Sequence, residues 1–224
     1  MGETALRIVV YGLVAGASPL AILSTLAVLT SRRGRINGTA LALGFLLGQS
    51  VALLIAVLIG SAAGQRLNGS HDTLAGILEL LLGAAMLMVA WRGRHRATPM
   101  EERASRTDVL LARLADIGPR TAFSVGLPLG VGAKRLVITL LAGATIASAG
   151  LLRVEELGLG ALYVLLAGLL VWVPVTMYLV LGRHADPWMR SAQAWLSANT
   201  RRLTFLVSLI LGVFFLADGV VRLG

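Results

Sequence analysis

The chain has 224 residues, of which 57% are hydrophobic and only 14% charged. Soluble domains average about 45–50% and about 25%, so a water-soluble globule is excluded, and so is disorder, which needs low hydrophobicity. A net charge of +9 then reads as basic cytoplasmic loops of a membrane protein rather than a nucleic-acid surface, and the absence of cysteine removes disulfides, thiolate metal sites and thiol redox chemistry.

A helix needs about 20 mostly apolar residues to cross roughly 30 Å of hydrocarbon. Six stretches qualify in chain order: residues 5–30, 37–63, 73–91, 121–149, 157–181 and 203–222. The first contains Ala15-Gly16-Ala17, which resembles a signal-peptidase site. Its apolar run continues well beyond that point, so a retained span is expected. The fold class expected is therefore all-α integral membrane, with six transmembrane helices.

Arginine placement orients them. The loops after spans one, three and five hold Arg32, Arg33 and Arg35; Arg92, Arg94, Arg96, Arg103, Arg106, Arg113 and Arg120; and Arg183, Arg190, Arg201 and Arg202. The other side holds only Arg7, Arg66, Arg153 and Arg222. The positive-inside rule places the richer side in the cytoplasm and both termini outside, N-out/C-out. Before the sixth span, Asp186-Pro187 reads as an N-cap with proline at the first helical position. Trp188, Ala192, Trp195 and Leu196 then follow at helical spacing, which predicts an interfacial helix near 187–199. A weaker amphipathic pattern runs over 105–116. Both patterns are read first as anchors of the spans, with lipid recognition as the alternative.

Two three-span halves of opposite orientation form an inverted repeat, a recurrent transporter design. Gly12-Leu-Val-Ala-Gly16 followed by Ser18-Pro19 parallels Gly126-Leu-Pro-Leu-Gly130 followed by Gly132-Ala133-Lys134-Arg135, at an offset of 114 residues. In the third and sixth spans, Glu79-Leu-Leu-Leu-Gly83 parallels Ser208-Leu-Ile-Leu-Gly212. The domain reading is a first repeat over 1–91, an arginine-rich cytoplasmic loop over 92–120, and a second repeat over 121–224 that includes the interfacial helix.

The same alignment points to a site. Pro19 lies about 14 residues into its span, roughly 21 Å at helical rise, and Lys134 reaches a similar depth from the opposite face. Proline removes a backbone donor and Gly130 and Gly132 weaken a helix, so both spans are expected to break near the midplane. Gly16, Gly130, Asn37 and Gly38 are taken as structural hinge positions. All but one of the twenty Lys and Arg residues are arginine, and the single lysine is Lys134. A mid-bilayer charge costs roughly 2.5–3.5 kcal/mol or more, so it normally lines a cavity or meets a partner. Lys134 and Arg135 read either as a cationic centre that binds an anionic substrate, with Ser18, Pro19 and Gly132 around it, or as half of a structural ion pair with Glu79. Glu79 itself reads as a counter-charge or a proton carrier. Asp218, near the outer surface, is expected to be solvated or paired with Arg222. His71, His95 and His184 are scattered over three loops, so no metal site is expected. With no phosphate-binding glycine loop and no clustered acid–base residues, neither an enzyme nor a cofactor is expected.

Several segments together resemble a known family. They are Ser18-Pro-Leu-Ala-Ile-Leu, Leu29-Thr-Ser-Arg-Arg-Gly-Arg-Ile-Asn37-Gly38, Gly44-Phe-Leu-Leu-Gly48, the stretch 126–150, and Trp195-Leu-Ser-Ala-Asn199-Thr-Arg201 with Leu211-Gly212 and Asp218-Gly219. Their order along the chain is similar to that of the GAP-like proteins, which include the mycobacterial glycopeptidolipid- and sulfolipid-addressing proteins of the lysine-exporter (LysE) superfamily. The resemblance implies a six-span transporter-like fold and movement of an envelope lipid or glycolipid. Where that family usually shows Asn-Pro-Lys-Asn, this chain has Gly132-Ala133-Lys134-Arg135. The lysine is kept, while the helix-breaking proline and flanking amides are lost.

The function expected is export of an anionic lipid or glycolipid toward the cell envelope from a multi-pass position in a bacterial inner (plasma) membrane. Partners expected are that lipid, membrane lipids and envelope-biosynthesis proteins, with no nucleic acid and with homo-oligomerisation left open. Two alternatives stand beside it: a LysE-like exporter of an amino acid or ion, and a non-transporting scaffold for envelope-lipid synthesis.

Overall fold

A computed structural model describes residues 2–31, 33–66, 80, 83–84, 86–88, 90–91 and 117–223. The described residues are almost wholly helical. In chain order the helices are α1 (Gly2–Gly16), α2 (Pro19–Leu29), α3 (Gly34–Arg66), α4 (Pro119–Gly130), α5 (Ala133–Ser148), α6 (Arg153–Ala167), α7 (Leu169–Leu181) and α8 (Asp186–Leu223), with a 3₁₀ turn, Gly182–Ala185, before the last. Short helical stretches also occur among residues 80–91.

α3 is the one described helix that is long and apolar enough by itself to cross a membrane. Its apolar stretch Gly34–Ala62 runs 29 residues, about 44 Å at helical rise. Three more spans follow if each bent pair counts as one: α1 with α2, α4 with α5, and α6 with α7, bent by 60°, 65° and 72°. The first and fourth predicted spans are thus broken helices. α1 stops at Gly16 and α2 starts at Pro19; α4 stops at Gly130 and α5 starts at Ala133. All four boundaries obey the 114-residue offset found in the sequence. The second and fifth spans do not match in this way, because α3 is continuous while the fifth bends at Gly168.

Glycines let the helices approach backbone to backbone, as in membrane packing generally. A Cβ on Gly44 or Gly48 of α3 would strike the Phe123 or Leu127 carbonyl of α4, and one on Gly126 or Gly130 would strike the Leu41 or Phe45 carbonyl of α3. This mutual fit makes α3–α4 the most extensive helix pairing. α1 uses Gly12 and Gly16 the same way against α6, where Gly16 sits 2.7 Å, measured at its ideal Cβ, from the Leu166 carbonyl oxygen. Gly83 and Gly212, paired in the sequence reading, also face each other, with a Cβ on Gly83 lying 3.0 Å from the Gly212 carbonyl oxygen.

One apolar core gathers Ile8 and Tyr11 of α1, Leu53 of α3, Ile138 and Leu141 of α5, Tyr163 of α6 and Phe215 of α8, with Tyr11 stacked on Phe215. A second gathers Leu26 and Leu29 of α2, Phe45 of α3, Val171, Val175 and Tyr178 of α7, and Met189 of α8. Asn37 ties the start of α3 to the chain entering α4, its Nδ2 donating to the Ile117 carbonyl at 2.7 Å.

The segment read as an interfacial helix near 187–199 is the first part of α8. α8 does start at Asp186 with Pro187 next, but it runs unbroken for 38 residues through the sixth predicted span. The reason is local: between Trp188 and Leu211 there is no glycine or proline to stop it. Residues 92–116, including the second amphipathic pattern, lie outside the described residues, as does most of the third span.

Candidate site at the paired helix breaks

The two breaks meet, and one side chain joins them. In an unbroken helix the Ala15 carbonyl would accept from residue 19, but residue 19 is proline and has no N–H. The Leu129 carbonyl would accept from residue 133, which the break carries into α5. Arg135, in the first turn of α5, supplies both missing donors. Its Nε donates to the Ala15 carbonyl at 3.0 Å and its Nη1 to the Leu129 carbonyl at 2.7 Å.

Three features keep this cation inside the protein. The two carbonyls lie at the C-terminal ends of α1 and α4, where the helix dipole is negative and favours a cation by roughly 0.3–1 kcal/mol, up to about 2 when partly buried. The Phe45 ring lies 4.6 Å below Cζ, a cation–π contact worth about 2 kcal/mol when desolvated. Hydrogen bonds to a charged donor add about 1.5–3 kcal/mol each. Arg135 is only 5% exposed, and its Nη2 has no hydrogen-bond partner among the described residues. Its partners there are carbonyls and a ring, and no described carboxylate forms a salt bridge with it.

A second polar group continues from the same turn of α5. Thr139, four residues on, donates its single hydroxyl hydrogen to the Arg135 carbonyl at 2.8 Å. It accepts from Gln49 Nε2 of α3 at 2.9 Å. Its contact with the Tyr163 hydroxyl of α6, 2.8 Å, must therefore have Tyr163 as donor. Gln49, one turn beyond Phe45 on α3, keeps its Oε1 buried without a hydrogen-bond partner among the described residues.

Arg135 thus ties the Ala15 end of α1 to the Leu129 end of α4. Ser18 is the half-buried N-cap residue of α2, making no side-chain cap bond, and Gly132 is the exposed N-cap residue of α5. Lys134 occupies the first turn of α5; its side chain lies outside what the structure describes, as do those of Pro19 and Asp218. Glu79 lies wholly outside the described residues. Asn37 and Gly38 are elsewhere, where α3 starts: Gly38 lies against the Leu29 side chain, and Asn37 is buried with its Oδ1 unpartnered among the described residues.

Sequence reasoning missed Phe45, Gln49, Thr139 and Tyr163. A signal existed for Gln49, an amide in the middle of an otherwise apolar span, where polar side chains normally serve packing or function.

The family model described as Sap, sulfolipid-1-addressing protein, matches residues 8–221, nearly the whole chain. The chain belongs to this family. The match takes in both breaks, the α3–α4 glycine interface and all of the Arg135 contacts. No curated protein and no solved structure matches the chain.

Proposed function

We propose that this family member moves an anionic lipid or glycolipid across a bacterial plasma membrane toward the cell envelope. In this reading six spans form two inverted three-helix halves with both termini outside, and the halves rock against each other about the paired breaks. The observation that carries it is the coincidence of two helix breaks at one repeat offset, clasped by a single buried arginine. Irregular backbone at membrane depth is tolerated where protein or a cavity surrounds it, and transporter sites are built from such discontinuous helices. The family's lipid-addressing description supplies the substrate class.

The residues divide the work. Arg135 holds the breaks together, with two of its donor groups already committed to carbonyls. Lys134, beside it in the first turn of α5, receives the substrate's phosphate, sulfate or carboxylate, with Ser18 and Pro19 across the break and Gly132 giving close backbone approach. Glu79 serves as counter-charge or proton carrier.

The test compares surface-exposed with cell-retained lipids in a deletion strain complemented by wild type or by Lys134→Ala. One anionic lipid made but retained inside, and restored to the surface only by wild type, supports the proposal. Unchanged surface lipids with small metabolites or ions accumulating in the cell would refute it in favour of solute export.

A further inference from the structure

Beside the fourth-span break lies a crevice of about 390 Å³ between α3 and the α4–α5 pair. Its size is within the roughly 300–1,000 Å³ typical of ligand pockets. The crevice lies at the 65° turn between two close approaches to α3: α4 packs on it through Gly44 and Gly48, and α5 meets it again at Gly60 and Gly143. Leu47, Val51 and Ile55 form one wall, and Pro128, Val131 and Leu136 form the other. Every lining residue is apolar, glycine or proline. The α3 wall falls at the centre of the apolar stretch Gly34–Ala62, so the crevice opens at mid-bilayer depth.

We infer that this crevice seats one acyl chain of the transported lipid. The assignment rests on the lipid reading above and gives the hydrocarbon part of the substrate its place. A wall without polar groups at that depth can satisfy neither water nor a headgroup, which leaves hydrocarbon as its occupant. The location links tail to head, since Val131 and Leu136 of the crevice flank Gly132 and Lys134 in sequence. Lipid tails are as apolar as leucine, so the chain is held by shape and dispersion contacts rather than by a hydrophobic driving force. Binding is accordingly sensitive to filling the space.

The experiment places the full chain in phosphatidylcholine nanodiscs doped with a phosphatidylglycerol carrying a diazirine midway along one acyl chain. Photolabelled residues are mapped by mass spectrometry. Labels should concentrate several-fold on segments 47–55 and 127–140 over lipid-facing positions such as Val180 and Ile210, and unlabelled phosphatidylglycerol should compete them away. Val51→Trp and Leu136→Trp, both at partly exposed positions, should reduce crevice labelling to the Val180 level. Leu58→Trp, on α3 outside the crevice, should not. Even labelling of all lipid-facing positions would show ordinary boundary lipid and overturn the inference. Cross-links between two copies through segment 47–55 would overturn it too, since the occupant would then be a second chain. Surface-lipid recovery separates this from the parent reading: crevice labelling that fails while Lys134→Ala still blocks export refutes the acyl-chain seat alone.

Discussion

The first and fourth spans break at matching places and by nearly the same angle, yet their chemistry differs. At the first, Ser18-Pro19-Leu20-Ala21 carries no charge, and the proline simply leaves a carbonyl without its donor. At the fourth, Gly132-Ala133-Lys134-Arg135 concentrates both cations in one turn. One break thus supplies a vacancy and the other the group that fills it. The backbone is paired but the chemistry is not: Arg135 caps the Leu129 carbonyl of its own break as well as the Ala15 carbonyl of the other, so the first break depends on the fourth. The second and fifth spans teach the complementary lesson. α3 stays continuous as the packing rail for α4 and α5, whereas the fifth bends at Gly168, where the Trp172 indole N–H caps the Leu165 carbonyl at 2.8 Å.

Removing the shared clasp should have the largest effect. Arg135→Ala leaves the Ala15 and Leu129 carbonyls unpaired and strips the Phe45 ring of its cation. We expect a loss of at least about 3 kcal/mol, seen as a large fall in melting temperature in detergent. Arg135→Lys should recover only part of it, because an ammonium cannot fork to two carbonyls in the guanidinium geometry. If Arg135→Ala melts like wild type, the breaks are not coupled through this residue.

Next comes the rail. Gly44→Leu puts a side chain against the Phe123 carbonyl and should cost about 1–3 kcal/mol of overpacking. Cysteine cross-linking across α3–α4, in this naturally cysteine-free chain, should fall with it. Unchanged cross-linking would mean that the two helices do not pack through these glycines.

The mildest change tests the uncharged break. Pro19→Ala returns an N–H that competes with Arg135 for the Ala15 carbonyl and lets α1 run on toward α2. Stability should hold within about 1 kcal/mol, while spin-label distances across the bend lengthen and export falls. Full export with a straightened first span would detach the bend from function.

Much of this was legible from residue order. Apolar runs marked the helices, and proline and glycine near 18–19 and 130–132 marked both breaks, because such residues act on their own turn of backbone. What escaped was non-local or depended on an absence. Nothing near Arg135 in sequence points to a carbonyl 120 residues earlier, and Thr139 joins α3 and α6 only after the helices pack. In the fifth span Pro174 looks like the breaker, yet it sits inside α7 and the bend is at Gly168. Asp186-Pro187 announced the start of α8, which then runs on through Arg201 and Arg202 into the sixth predicted span.

The most direct measurement is transbilayer movement of a fluorescent anionic phospholipid in liposomes holding purified wild type, Lys134→Ala or no protein. We predict that wild type speeds the movement, while Lys134→Ala, folded and incorporated equally, stays at the protein-free rate. Equal rates for wild type and Lys134→Ala, whether both fast or both at the protein-free level, would contradict lipid passage through the paired breaks.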